Sequence, residues 1–199
     1  HHESLNAIEG SLTLIEQGQM ALADPVSRYL PELKDLKVGV EKPGPDGKPM
    51  LELMPSRRDM TVHDLLRHMS GLTYAPFGAS LVKEEYKKAG VNPGDPAADY
   101  DNAELVRRVA KVPLAWQPGS TWDYSISTDI LGALVEKVAG QTLDVVLQQR
   151  IFGPLKMNDT AFHVPAAKQG RIAEAFATDP DSKQAVRLLH LLGEKGVTK

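Results

Sequence analysis

The side chain most suited to chemistry in this 199-residue chain is a phenol placed where a turn enters a helix. Tyr124 lies in the run W-Q-P-G-S-T-W-D-Y-S-I-S-T-D-I-L-G, from Trp116 to Gly132. Pro118-Gly119 marks a turn, after which Trp122 and Tyr124 point to the same side of an extended segment. A strongly periodic helix follows, and this junction could present a reactive phenol to a cleft. A phenol with its ordinary pKa of ~10 is ionised in about one molecule per thousand at neutral pH. It serves as a base only where nearby charge or burial moves that pKa toward neutrality. The plainer role is an interfacial aromatic whose hydroxyl bonds to the backbone.

The other candidates carry less. Ser4 has the position of a cap for a helix beginning at Leu5. His63 and His68 are five residues apart, about 140° around a helix, so they cannot chelate one metal and read as surface or packing residues. Asp179 and Asp181 lack the glycine and distal glutamate of a calcium loop and read as a solvated turn. No metal site is therefore expected. Trp116 and Trp122 flank the glycine turn, where either lines a cleft wall or packs in the core.

Composition narrows the partners. Hydrophobic residues make up 42% and charged residues 25%, as in a globular domain. The formal net charge is -3 with both signs interspersed, so neither a nucleic-acid stripe nor a membrane-binding polybasic helix is encoded. No apolar run approaches the roughly 20 residues of a bilayer span, and no signal-peptide pattern opens the chain. Cysteine is absent, which excludes thiol chemistry and leaves the compartment, cytoplasm or periplasm, open. The expected partner is a small molecule or another protein.

The elements that must position Tyr124 read as helices with one hairpin. A first helix from about Leu5 to Gln17 shows Ile8, Leu12 and Ile15 on one face and stops at Gly18. Asp24-Pro25 opens a short helix that ends before Pro31. Leu36–Val40 and Met50–Leu53 form a hairpin about Pro43–Gly47. Thr61 and Asp64 make a capping box for a helix to Met69 ended by Gly71, and Asp101 and Glu104 repeat it for a helix to about Val112. Between them, residues 76–100 hold three glycines and three prolines and read as a loop around a short helix at Leu81–Lys88. Ile126–Val138 is a helix stopped by Gly140, and Thr142 caps another through Phe152. Beyond Phe162 the pattern weakens, and no further strand pair is expected.

Four segments in one order carry a resemblance. They are L-T-L-I-E-Q-G-Q-M-A-L-A-D-P-V-S-R-Y-L-P, M-T-V-H-D-L-L-R-H-M-S-G-L, P-G-S-T-W-D-Y-S and I-F-G-P-L-K-M-N-D-T-A-F. From Leu12 to Pro165 the chain resembles the serine β-lactamase-like family: class C β-lactamases, DD-peptidases and family VIII carboxylesterases. That resemblance implies a mainly α chain with a small β-hairpin, the helical part of an α/β fold. Residues 1–165 would form the helical domain and residues 166–199 a poorly defined C-terminal extension. It implies acyl-serine chemistry on a small-molecule ester or β-lactam, with no metal or organic cofactor. Tyr124 matches the family's catalytic tyrosine, and Trp122 and Ser125 would bind substrate. Ile126 stands where β-lactamases carry Asn, which points to the esterase branch.

The resemblance is incomplete. The family's S-x-x-K belongs near His1–Ser4, where the residues are H-H-E-S, and Ser4 and Ser11 are followed at the required spacing by Ala7 and Leu14. Neither K-T-G nor H-G-G occurs. Gly196-Val197-Thr198-Lys199 has the outline of S-x-x-K with glycine for serine, an accident of the tail. Two readings follow. The chain is a truncated member of a serine hydrolase, inactive as it stands, or a non-catalytic helical module whose exposed apolar face drives binding or self-association.

Overall fold

The computed structural model describes the backbone of residues 2–93, 100–172, 176–178 and 185–187. Two compact units are formed: residues 1–93 with 99–158, and residues 94–98 with 159–199.

The first unit is built around α5 (Ser127–Ala139), which packs against α1 (His2–Glu16), α2 (Val62–Leu66), α4 (Asn102–Val109) and α6 (Leu143–Leu147). Helix α5 is apolar around most of its circumference, as a central helix must be. Ile130, Leu131, Leu134 and Val135 are each 0% exposed, and each such burial contributes roughly 2 kcal/mol.

Helix α1 meets this core through a broader face than its apolar pattern marks, with Ile8 and Ile15 of the expected face packed against the core as partly buried residues. Ala7, Gly10, Ser11 and Leu14 are buried, whereas Leu12, from the predicted Ile8–Leu12–Ile15 face, is 47% exposed. Close approach explains the choice: a Cβ on Gly10 would lie 3.1 Å from Leu147 and 3.8 Å from Val135. Ser11 is tolerated there because its hydroxyl donates to the Ile8 carbonyl at 2.6 Å. The helix begins at His2, so Ser4 lies within it and is not its cap.

The expected hairpin forms from β1 (Lys37–Pro43) and β2 (Pro49–Pro55), paired antiparallel with Val40 opposite Glu52. Strand β1 also exchanges main-chain bonds with Leu114, which ties the hairpin to the helices. Asp24-Pro25 opens a 3-10 turn, Val26–Arg28, instead of an α-helix. Helix α3 (Leu81–Lys88) lies where the loop reading placed it. Thr142 makes no side-chain cap; Glu136 accepts the Leu143 N–H at 2.9 Å instead. After α6 the chain widens into a π-helical turn, Gln148–Phe152, closed by the Gly153 N–H on the Gln148 carbonyl.

The second unit holds a 3-10 turn at Ala166–Arg171 and a further antiparallel pair, β3 (Phe176–Thr178) with β4 (Ala185–Arg187). Sequence patterning missed this pair because three residues show too little alternation to register. Asp179, Asp181 and the 196–199 tail lie outside the described residues.

Candidate functional site

Tyr124 is placed by main-chain bonds between two segments, 68–71 and 115–123. The Gly71 carbonyl accepts from Ala115 N–H at 2.8 Å, the Met69 carbonyl from Gly119 N–H at 2.7 Å, and the His68 carbonyl from Asp123 N–H at 3.0 Å. Glycine is required at both turns. Gly71 has φ 87° and a Cβ there would strike the Trp116 carbonyl, and Gly119 has φ 81° with the Arg58 guanidinium where a Cβ would stand.

A charged clamp secures the outer edge of this junction. Arg58 grips Asp64 with two bonds, of 2.5 and 3.1 Å, and Arg67 adds one of 3.3 Å. The Asp64 side chain is 2% exposed and that of Arg58 44%. Asp64 also completes the capping box of α2 by accepting from Thr61 N–H at 3.0 Å. Burial pushes the Asp64 carboxyl up, but hydrogen bonds from Arg58 and Thr61 with the Arg58 charge outweigh it and hold the group below the usual carboxylate value.

The inner edge is neutral. Ser70, Ser125 and Ser127 are 0%, 3% and 0% exposed. The hydroxyls of Ser70 and Ser127 are 2.7 Å apart, as are those of Ser127 and Ser125. His68 Nδ1 accepts from Ser125 N–H at 3.2 Å and lies 3.3 Å from the Ser125 hydroxyl. Burial lowers the His68 pKa against the opposing pull of Asp123.

Above this chain Tyr124 is walled by rings. His68 lies 4.9 Å from it at 30°, Tyr74 6.1 Å edge-on and Phe77 6.0 Å. Trp122, 64% exposed, stands 6.3 Å from His68. Trp116, 44% exposed, donates its indole N–H to Asp123 at 3.1 Å, so neither tryptophan is core. Ser125, expected at the substrate surface, instead turns its hydroxyl into the interior. His68, read from sequence as surface or packing, is half-buried against Tyr124. The only trace of its role in the sequence is the pair of serines two apart, Ser125 and Ser127, leading into an apolar helix.

One S-x-x-K spacing does occur, Ser80-Leu81-Val82-Lys83, well beyond the first helix where the family places it. Ser80 caps α3, accepting from Lys83 N–H at 3.2 Å, and the Lys83 ammonium donates to the Phe77 carbonyl. Serine and lysine are thus engaged separately: one holds the helix end, the other a loop carbonyl. His63 is exposed, and among the described residues no cluster of His, Asp or Glu could hold a metal ion.

Comparison with known proteins agrees with this architecture. A family model described as Beta-lactamase matches residues 7–195. The chain is 38% identical over 152 residues to esterase EstB of Burkholderia gladioli, covering 76% of this chain and 34% of that one. It is 31% identical over 175 residues to the lovastatin esterase of Penicillium rubens, covering 85% of this chain and 41% of that one. Among solved structures, simvastatin synthase (LovD) of Aspergillus terreus matches with a TM-score of 0.72 at 26% identity, over 93% of this chain and 43% of that one. The chain thus spans about two-fifths of the length of such relatives. On the extent of the family match, and with the Tyr124 junction in place, this chain belongs to the β-lactamase family.

Proposed function

We propose that this chain carries the tyrosine arm of an acyl-serine esterase or acyltransferase acting on small-molecule esters, and that it is catalytically silent by itself. The observation that carries the reading is Tyr124, held at a rigid junction within an aromatic wall, with Ser125 following it and Ile126 in place of an amide side chain. Similarity to esterases supports the ester class over β-lactams. In the reaction a lysine amine of the intact enzyme takes the phenol proton, a serine oxygen attacks the ester carbonyl, and the serine proton passes to the tyrosine oxygen. The leaving alcohol takes that proton back, and water or a second alcohol then accepts the acyl group. Trp122 is proposed to contact substrate, and Ser125 to support Tyr124 from behind. The separate engagement of Ser80 and Lys83 supports the proposed silence.

Two measurements test this. The purified chain, treated with a fluorophosphonate probe and weighed intact, should gain no adduct; a stoichiometric adduct abolished by Ser80→Ala would defeat the claim of silence. A chimaera of esterase EstB carrying residues 61–139 of this chain should hydrolyse p-nitrophenyl butyrate. Tyr124→Phe in it should lower kcat by about 10²-fold or more, and full activity in that variant would remove Tyr124 from the chemistry.

A second reading, self-association, draws on the apolar side chains that β2 leaves exposed, Met50, Leu53 and Met54. Sedimentation of the chain as a monomer at micromolar concentration would dismiss it.

A further inference from the structure

His68 adopts φ 54°, a left-handed conformation that costs a residue with a side chain about 1 kcal/mol or more. A glycine would end α2 without that strain. What histidine adds is a set of contacts that converge on one neighbour. Its carbonyl accepts from Asp123 N–H at 3.0 Å and its Nδ1 from Ser125 N–H at 3.2 Å, so the N–H groups of both residues flanking Tyr124 are bound to it. Its ring lies 4.9 Å from the ring between them. We propose that His68 is the positioning residue of the Tyr124 phenol, gripping the chain on both sides of it and backing its ring. The consequence for catalysis rests on the reading of Tyr124 given above; the positioning itself does not.

The hydrogen bonds dictate the protonation state. Because Ser125 N–H points at Nδ1, that nitrogen must be the acceptor, and the neutral ring carries its proton on Nε2. The serines then have a consistent direction. Leu72 N–H donates to the Ser70 oxygen, Ser70 to Ser127, Ser127 to Ser125, and Ser125 to Nδ1. Each hydroxyl donates once and accepts at least once, which lets each bond polarise the next. A proton on Nδ1 would set two donors face to face and leave Ser70 without an acceptor in the chain. The groups facing the ring are the Asp123 carboxylate, which favours protonation, and the Tyr124 phenol, with the uncharged Trp122 at its edge. Burial opposes protonation and prevails.

The test uses NMR on the whole chain. Long-range ¹H–¹⁵N spectra at pH 7 should show His68 neutral with its proton on Nε2. In His68→Phe, which keeps the ring and the carbonyl but loses Nδ1, Ser125 amide exchange should quicken at least tenfold. The Asp123 amide should hold its wild-type rate, and ring-to-ring NOEs from Tyr124 to Phe77 should weaken. A proton on Nδ1 in the wild type, or Ser125 exchange within twofold of wild type in the variant, overturns the proposal. Should the variant not fold, the wild-type tautomer decides alone. In the EstB chimaera, His68→Phe should lower kcat with KM within about twofold. If Tyr124→Phe is already harmless there, the catalytic reading fails while the NMR result still judges the positioning.

Discussion

The junction that holds Tyr124 is joined on its outer side by charge and on its inner side by neutral hydroxyls. Arg58, half in water, grips a buried carboxylate, whereas Ser70, Ser127, Ser125 and His68 form a sealed chain with no formal charge. The difference follows from desolvation. A charge excluded from water is expensive unless its partner and several further bonds compensate it, which Asp64 obtains from Arg58, Arg67 and Thr61. Deeper in, where no guanidinium could keep a solvated edge, the same linkage is made from hydroxyls, each of which can donate and accept.

Breaking the charged side should have the largest effect. Asp64→Ala removes one half of the α2 capping box and the charge-assisted bonds from Arg58 and Arg67, which should cost about 4 kcal/mol in urea unfolding. Its pH dependence has a definite sign. The folded carboxyl titrates below its unfolded value, so its contribution is whole above the unfolded pKa near ~4 and disappears as pH falls through the folded one. The wild type should therefore lose stability below pH ~4 more steeply than Asp64→Ala; parallel acid limbs would deny the clamp its role. Gly71→Ala, which forces a Cβ into the Trp116 carbonyl at φ 87°, should cost about 3 kcal/mol, and a thermal midpoint unchanged from wild type would contradict the packing.

On the neutral side, Ser127→Ala interrupts the hydroxyl chain and should cost about 2 kcal/mol by chemical denaturation. An effect equal to that of Asp64→Ala would erase the contrast between the two edges. The smallest change belongs to Trp122→Ala: at 64% exposure its loss should shift stability by less than about 0.5 kcal/mol, and a larger shift would make it a structural residue.

Local signals in the sequence were legible where the physics is local. The capping box at Thr61 depends on residues three apart and forms as read. At Asp101 only the cap half forms, Asp101 accepting from Glu104 N–H at 2.7 Å while the Glu104 carboxylate turns to Arg107 and Arg108 instead of reaching back. The buried face of α1 was legible only in part, at Ile8 and Ile15, because apolar periodicity scores hydrophobicity whereas packing on α5 and α6 selects for smallness at Ala7, Gly10 and Ser11. Helix α2 stops at Leu66, short of the expected Met69, because His68 turns left-handed before the glycine is reached. The role of that histidine depends on Ser125, 57 residues away, and no spacing rule spans such a gap. Tyr124 was legible as a candidate; the groups that place it were not.

The loop leading to Tyr124 is anchored through the amides of Ala115, Gly119 and Asp123, none of which depends on a side chain. Exposed positions such as Trp122 are therefore free to diverge without disturbing the phenol. If Trp122 contacts substrate as proposed, variation there would alter which acyl or alcohol groups are recognised without moving the phenol, so substrate preference could drift across descendants of one unchanged framework.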